Sequence, residues 1–204
     1  MQQIIIKWTA IIGLCFLTPV LHAEDAPLSE RWALHVEIGN WQPHSLNDEP
    51  RFDTFGAAGA TPYMGLGITI PALNDLTMKM AIGFWSLRDL EEVDNIHTLV
   101  IHPLTLDFKY WLFPDERLSA YVSYGGGIFW GVENETLPFG EQLHKAQSGW
   151  GINLGAGFDM AFSTRMGFSM NFQYHYVIFQ DPLGGVDDFS GPKICGGLIF
   201  FLNH

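Results

Sequence analysis

His175 and Ser169 come nearest to a base and a nucleophile within one stretch of alternating sequence, MGFSMNFQYHYV (166–177). They share a parity but lie six residues apart, about 20 Å at the rise of an extended strand. That is well beyond the hydrogen-bond reach that activates a serine. A partner for His175 on an opposing strand stays open. His44, His97 and His144 fall in three different connecting segments, so a shared metal would require those segments to converge. These three connections and a fourth at 178–192 together hold thirteen Asp and Glu, among them Asp89, Glu91, Glu92 and Asp94, opposed by Arg51, Arg88 and Lys145. Hard divalent cations favour such oxygen ligands, yet no spacing matches a defined calcium loop; a solvated acidic rim is the reading adopted. No metal and no cofactor is expected.

A third set is more ordered. His35, Glu37, Lys79, Asp107, Lys109, Asp159 and His175 each sit between apolar neighbours at a period of two. In LTLDFKYW (104–111), Leu104, Leu106, Phe108 and Tyr110 alternate with Thr105, Asp107, Lys109 and Trp111. Such alternation fits a soluble sandwich with its apolar face inward, and fits equally a membrane barrel with that face outward. The rest of the chain decides between them.

Eight segments of about ten residues carry the same pattern, roughly 31–41, 62–70, 76–85, 101–112, 118–132, 149–162, 166–177 and 193–202. One parity is apolar in each, for example Trp32, Leu34, Val36 and Ile38, or Phe168, Met170, Phe172, Tyr174 and Tyr176. The other parity mixes the charged set with glycines (Gly65, Gly125, Gly155) and a few large rings (Trp85, Trp111, Tyr121, Phe129). The interior of a narrow closed tube needs that mixture of sizes. The connections sort as well. Those at 71–75, 113–117 and 163–165 are short, and they alternate with longer, Asp-, Glu-, Gly- and Pro-rich ones at 42–61, 86–100, 133–148 and 178–192. Short turns on one rim and long loops on the other are the habit of membrane barrels, and a sandwich has no reason to sort its loops so. Trp41, Trp85, Tyr110, Trp130, Trp150, Tyr174 and Tyr176 include several residues near segment ends, where amphipathic rings suit the two membrane interfaces. The expectation is an all-β, eight-stranded antiparallel transmembrane up-and-down barrel, with the charged set packed in its lumen.

The N-terminus agrees. MQQIIIKWTAIIGLCFLTPVLHA has one cation, Lys7, then an apolar run and a small residue at Ala23. This is the layout of a secretory signal peptide over 1–23, cleaved after Ala23, leaving a barrel domain over 24–204. Leu14 precedes Cys15 where a lipoprotein signal would carry a small residue. Cys195 is then the sole cysteine of the exported part, so no internal disulfide contributes. With 10 Lys+Arg against 22 Asp+Glu, the chain carries a formal charge of −12, the wrong sign for nucleic acid.

HPLTLDFKYWLFPDERLSAYVSYGGGIF (102–129) and SGWGINLGAGFDMAFSTRMGFSMNFQYHY (148–176) resemble strands four to five and six to seven of the eight-stranded outer-membrane β-barrel family that includes the OmpA-type barrel domain and OmpW. The likeness covers most of 24–204. It implies an outer-membrane location and contacts with outer-membrane lipid and lipopolysaccharide. It also implies a C-terminal aromatic read by the barrel-assembly machinery; in GLIFFLNH, Phe200 or Phe201 sits a few residues early. A monomer with no appended peptidoglycan-binding domain is expected. The rival class is a lipid A-modifying enzyme, whose His and Ser stand two residues apart on one strand; here Val177 occupies that position relative to His175. The sequence therefore points to a non-enzymatic integral outer-membrane barrel with a structural or surface-interaction role. The alternative is OmpW-like passage of small apolar solutes. The lumen charges are expected to form internal salt bridges: three acids (Glu37, Asp107, Asp159) facing two lysines (Lys79, Lys109) and two histidines (His35, His175).

Overall fold

The computed structural model describes residues 27–47, 61–88, 97–113, 115, 117–136 and 142–202. The expected signal segment and many of the acidic loop residues lie outside these. The described residues form nine strands: β1 (Ala33–Trp41), β2 (Pro62–Leu73), β3 (Leu76–Arg88), β4 (His97–Trp111), β5 (Leu118–Thr136), β6 (Gln142–Ala161), β7 (Met166–Leu183), β8 (Val186–Asp188) and β9 (Gly191–Phe201). Every neighbouring pair is antiparallel. Eight strands close a ring in the order β1 to β7 and then β9, which returns to β1 with Ala33 opposite Phe201 and Trp41 opposite Lys193. Closure leaves no sheet edge around the ring, so the backbone groups there are satisfied within it. β8 is an accessory hairpin arm. It turns back on β7 through Gly184 and Gly185, whose φ values of 62° and 89° match the left-handed pair that a two-residue hairpin turn requires.

The alternating parity sorts as expected for the membrane case. Leu154 is 68% exposed on the outside, while its neighbour Asn153 is 6% exposed within the tube. The outer surface is a continuous apolar band, with Tyr110 and Tyr124 toward the short-turn rim and Trp130, Trp150, Tyr174 and Tyr176 toward the loop rim. No helix among the described residues is long and apolar enough to cross a membrane. Inside, glycines give way to large neighbours. A Cβ at Gly83 would stand 2.6 Å from the Tyr63 hydroxyl, and one at Gly157 would stand 2.6 Å from the Tyr121 hydroxyl.

Three expectations need correction. Trp41 and Trp85 are inward residues, 1% and 0% exposed, not interfacial ones; Trp41 shares the parity of His35 and Glu37. The segments 133–148 and 178–192 are largely strand, because β5 runs to Thr136, β6 starts at Gln142 and β7 continues to Leu183. Strands of 18 to 20 residues exceed the roughly 9–11 needed to cross a bilayer, so β5, β6 and β7 extend past the apolar band on the loop side. Third, the lumen histidines His35 and His175 bond Thr69 and Gln173, not the lumen acids.

Candidate functional site

All seven charged or histidine residues assigned to the lumen from sequence lie in it, each buried. Lys109 Nζ is 3.1 Å from Asp159 Oδ2, and Ser169 Oγ donates to Asp159 Oδ1 at 2.7 Å. The same ammonium stands 4.1 Å from the Tyr121 ring centroid. Lys79 pairs with Glu37, whose Oε1 also accepts from Asn171 Nδ2 at 3.3 Å. Lys79 thus reaches past β2 to β1, although its register partner on β4 is Asp107. Asp107 instead accepts from Asn153 Nδ2 at 2.7 Å. A buried carboxylate held only by an amide is costly unless a cation lies nearby. The lumen supplies a third one: Lys193, 5% exposed, with its Nζ 4.4 Å from the Tyr63 ring centroid. Sequence reasoning overlooked Lys193, which makes the acids and lysines of this layer equal in number. Its parity, one step from outward Ile194, was the available signal.

The histidines do not pair with acids. His35 Nε2 is 2.8 Å from Thr69 Oγ1, and His175 Nε2 is 3.4 Å from Gln173 Oε1. Gln173 in turn donates to Ser123 Oγ at 3.5 Å. The register partners of His175 are Asn153 on β6 and Gly191 on β9, neither of which has a hydroxyl. Ser169 is engaged with Asp159 instead. The base and nucleophile considered from sequence are therefore kept apart by the fold.

Both ends of this polar layer are closed by apolar side chains. Toward the loops, Trp41, Trp85, Leu99, Ile101, Phe129, Phe179 and Phe189 pack as one cluster. The Trp41 and Trp85 centroids are 5.5 Å apart, and those of Phe179 and Phe189 are 5.1 Å apart. Trp85 Nε1 donates to the Trp41 carbonyl at 2.9 Å. The β7–β8 turn closes over this cluster, with Leu183 inserted and the Gly184 amide donating to Glu133 Oε2 at 2.9 Å. Toward the short turns, Leu28, Ala33, Trp111, Tyr121, Ile199 and Phe201 form a second cluster. Trp111 Nε1 donates to Thr77 Oγ1 at 3.2 Å, and the Arg31 guanidinium lies 5.2 Å from the Phe201 centroid. Among the described residues the lumen is an ionic layer of three acids and three lysines between two apolar clusters.

Two of the loop histidines have separate partners. His144 Nδ1 is 2.6 Å from Asn134 Oδ1 on the exposed β5–β6 hairpin, while His44 lies beside Tyr174, 6.0 Å between centroids. The side chain of His97 falls outside the described residues. Among the described residues no group of three or more His, Cys, Asp and Glu is placed to hold a metal.

No protein-family profile and no curated protein sequence matches the chain. Solved structures do. Ail, the attachment invasion locus protein of Yersinia pestis, superposes with a TM-score of 0.54 at 13% identity, over 87% of this chain and 99% of Ail. A second Ail structure, in complex with the heparin analogue sucrose octasulfate, also gives 0.54 at 13% identity, over 84% and 97% of the two chains. The N-terminal β-barrel domain of Pseudomonas aeruginosa OprF matches at 16% identity over 84% and 97%, with a TM-score of 0.45. At such identities the likeness is one of fold.

Proposed function

We propose, from the premise that this chain folds as an eight-stranded outer-membrane β-barrel, that it is a closed integral barrel of the bacterial outer membrane. It serves as a rigid platform for surface structure or surface interaction and carries no catalytic centre. Export with removal of 1–23 and insertion as a monomer through the barrel-assembly machinery, with β9 and its Phe200 and Phe201 as the terminal strand, belong to this reading. So do contacts with membrane lipid and lipopolysaccharide.

The observation that carries it is the double seal. Lys79 pairs with Glu37 and Lys109 with Asp159 in a layer holding equal numbers of acids and lysines, and apolar clusters fill the tube on both sides of it. A path for small apolar solutes along the axis would have to breach both clusters and then cross an ionic layer, where an apolar solute gains nothing. What the barrel offers outward is the set of long connections and the prolonged β5–β6 hairpin. With thirteen acids against three cations, those connections have the wrong sign for a sulfated sugar such as the one held in an Ail structure, so a neutral or cationic surface partner fits better. Planar-bilayer recording tests the platform reading. The purified barrel should give a flat current trace, and reproducible unitary steps would favour passage instead.

A further inference from the structure

We propose that the outer wall of the barrel at its short-turn rim binds a membrane phospholipid with a primary ammonium headgroup, seated against Asp75, Tyr110 and Tyr124. A groove of about 480 Å³ opens there, lined by Leu73, Asn74, Asp75, Leu76, Tyr110 and Tyr124. The β2–β3 hairpin places Asp75 at its mouth: Leu73 pairs with Leu76, so Asn74 and Asp75 are the two turn residues. The Trp111 amide donates to the Asp75 carbonyl at 2.8 Å and anchors the turn to β4. The Asp75 carboxylate itself receives no hydrogen bond from the described residues. Tyr110 stands opposite Leu76 on the outer face, and Tyr124 stacks on Phe108 at 5.6 Å between centroids. Both tyrosines are about half exposed, 48% and 50%.

The composition of the groove selects its occupant. It contains one carboxylate, two aromatic rings, an amide and two leucines, and no cation. The two other short turns, 112–117 and 162–165, carry Arg117 and Arg165, whereas the Asn74–Asp75 turn has only its acid. In the poorly screened interface an isolated carboxylate attracts an ammonium, and the adjoining ring faces add cation–π attraction. A primary ammonium also supplies N–H donors that a quaternary one lacks. Beyond the groove, Phe108 and Leu106 follow Tyr110 at the same outward parity along β4, so an acyl chain can follow the headgroup along the wall. An anionic headgroup would meet Asp75 with like charge.

This inference rests on the membrane reading and identifies one lipid class for it. Native mass spectrometry of the full barrel released from detergent, offered equimolar phosphatidylethanolamine, phosphatidylglycerol and phosphatidylcholine of matched chains, tests it. Ethanolamine lipid should be retained about fivefold over the glycerol lipid, as one charge-assisted contact at an exposed site would give. Asp75→Asn should erase that preference, and Tyr110→Leu should lower retention of both ammonium lipids. Equal retention of all three lipids by a barrel with heat-modifiable gel mobility, or an unchanged preference in Asp75→Asn, would overturn the site alone. Protein without heat-modifiable mobility would overturn the barrel reading and the site with it.

Discussion

The middle of the lumen and its loop-side half are built on opposite principles, within the same tube and from the same strands. In the middle, charged groups meet particular partners: Lys109 with Asp159, Lys79 with Glu37, Asn153 with Asp107. Toward the loops, rings fill space, and only a few directed bonds such as Trp85 to the Trp41 carbonyl are present. The first arrangement is sensitive to which strand stands beside which, because a one-step slip would turn every charge toward lipid. The second tolerates exchange of shape among apolar residues and resists passage by exclusion. The polar layer thus specifies register, and the aromatic layer supplies the seal.

Removing one charge from the middle should have the larger effect. Lys109→Met leaves Asp159 in a dry tube without its ion partner, a loss of about 3–5 kcal/mol, read as a lower urea midpoint in lipid vesicles. Adding Asp159→Asn in the same chain should return most of that loss, since the cost lies in the stranded charge; an additive loss would contradict the reading. In the aromatic layer, Trp85→Phe should cost less, about 1–2 kcal/mol by the same measurement. Its indole N–H is lost, but the Trp41 carbonyl keeps the Thr61 hydroxyl as a donor. A larger loss for Trp85→Phe than for Lys109→Met would reverse the assignment of the two layers.

Much of this architecture was legible in the sequence, because side-chain parity along a strand is a local property. His35, Glu37, Lys79, Asp107, Lys109, Asp159 and His175 could be assigned to one face from their neighbours alone. Trp41 could not be placed by its chemistry, since an indole suits an interface and a packed tube equally; only its parity with Glu37 decides. Lys193 follows the same rule at the start of a strand, where few neighbours define the phase. The prolongation of β5 and β6 was hidden because LHKAQS (143–148) has no apolar face to alternate once the strands leave the bilayer. Partner choice across the lumen was beyond reach. Lys79 faces Asp107 in register yet bonds Glu37, a pairing fixed by strand stagger around the closed ring. The Asp75 groove depends likewise on residues from β2, β3, β4 and β5 meeting at one rim.

The direction in which the apolar parity points is the claim on which the rest stands, and adjacent residues on β6 report it most directly. In a Cys195→Ser background, nitroxide labels at Leu154→Cys and Asn153→Cys are compared in vesicles by collision with oxygen and with a water-soluble nickel chelate. The label at 154 should collide with lipid-dissolved oxygen and not with nickel, while the label at 153 should be shielded from both. A label at 154 reached by nickel, with the label at 153 open to oxygen, would contradict an outward-facing apolar band.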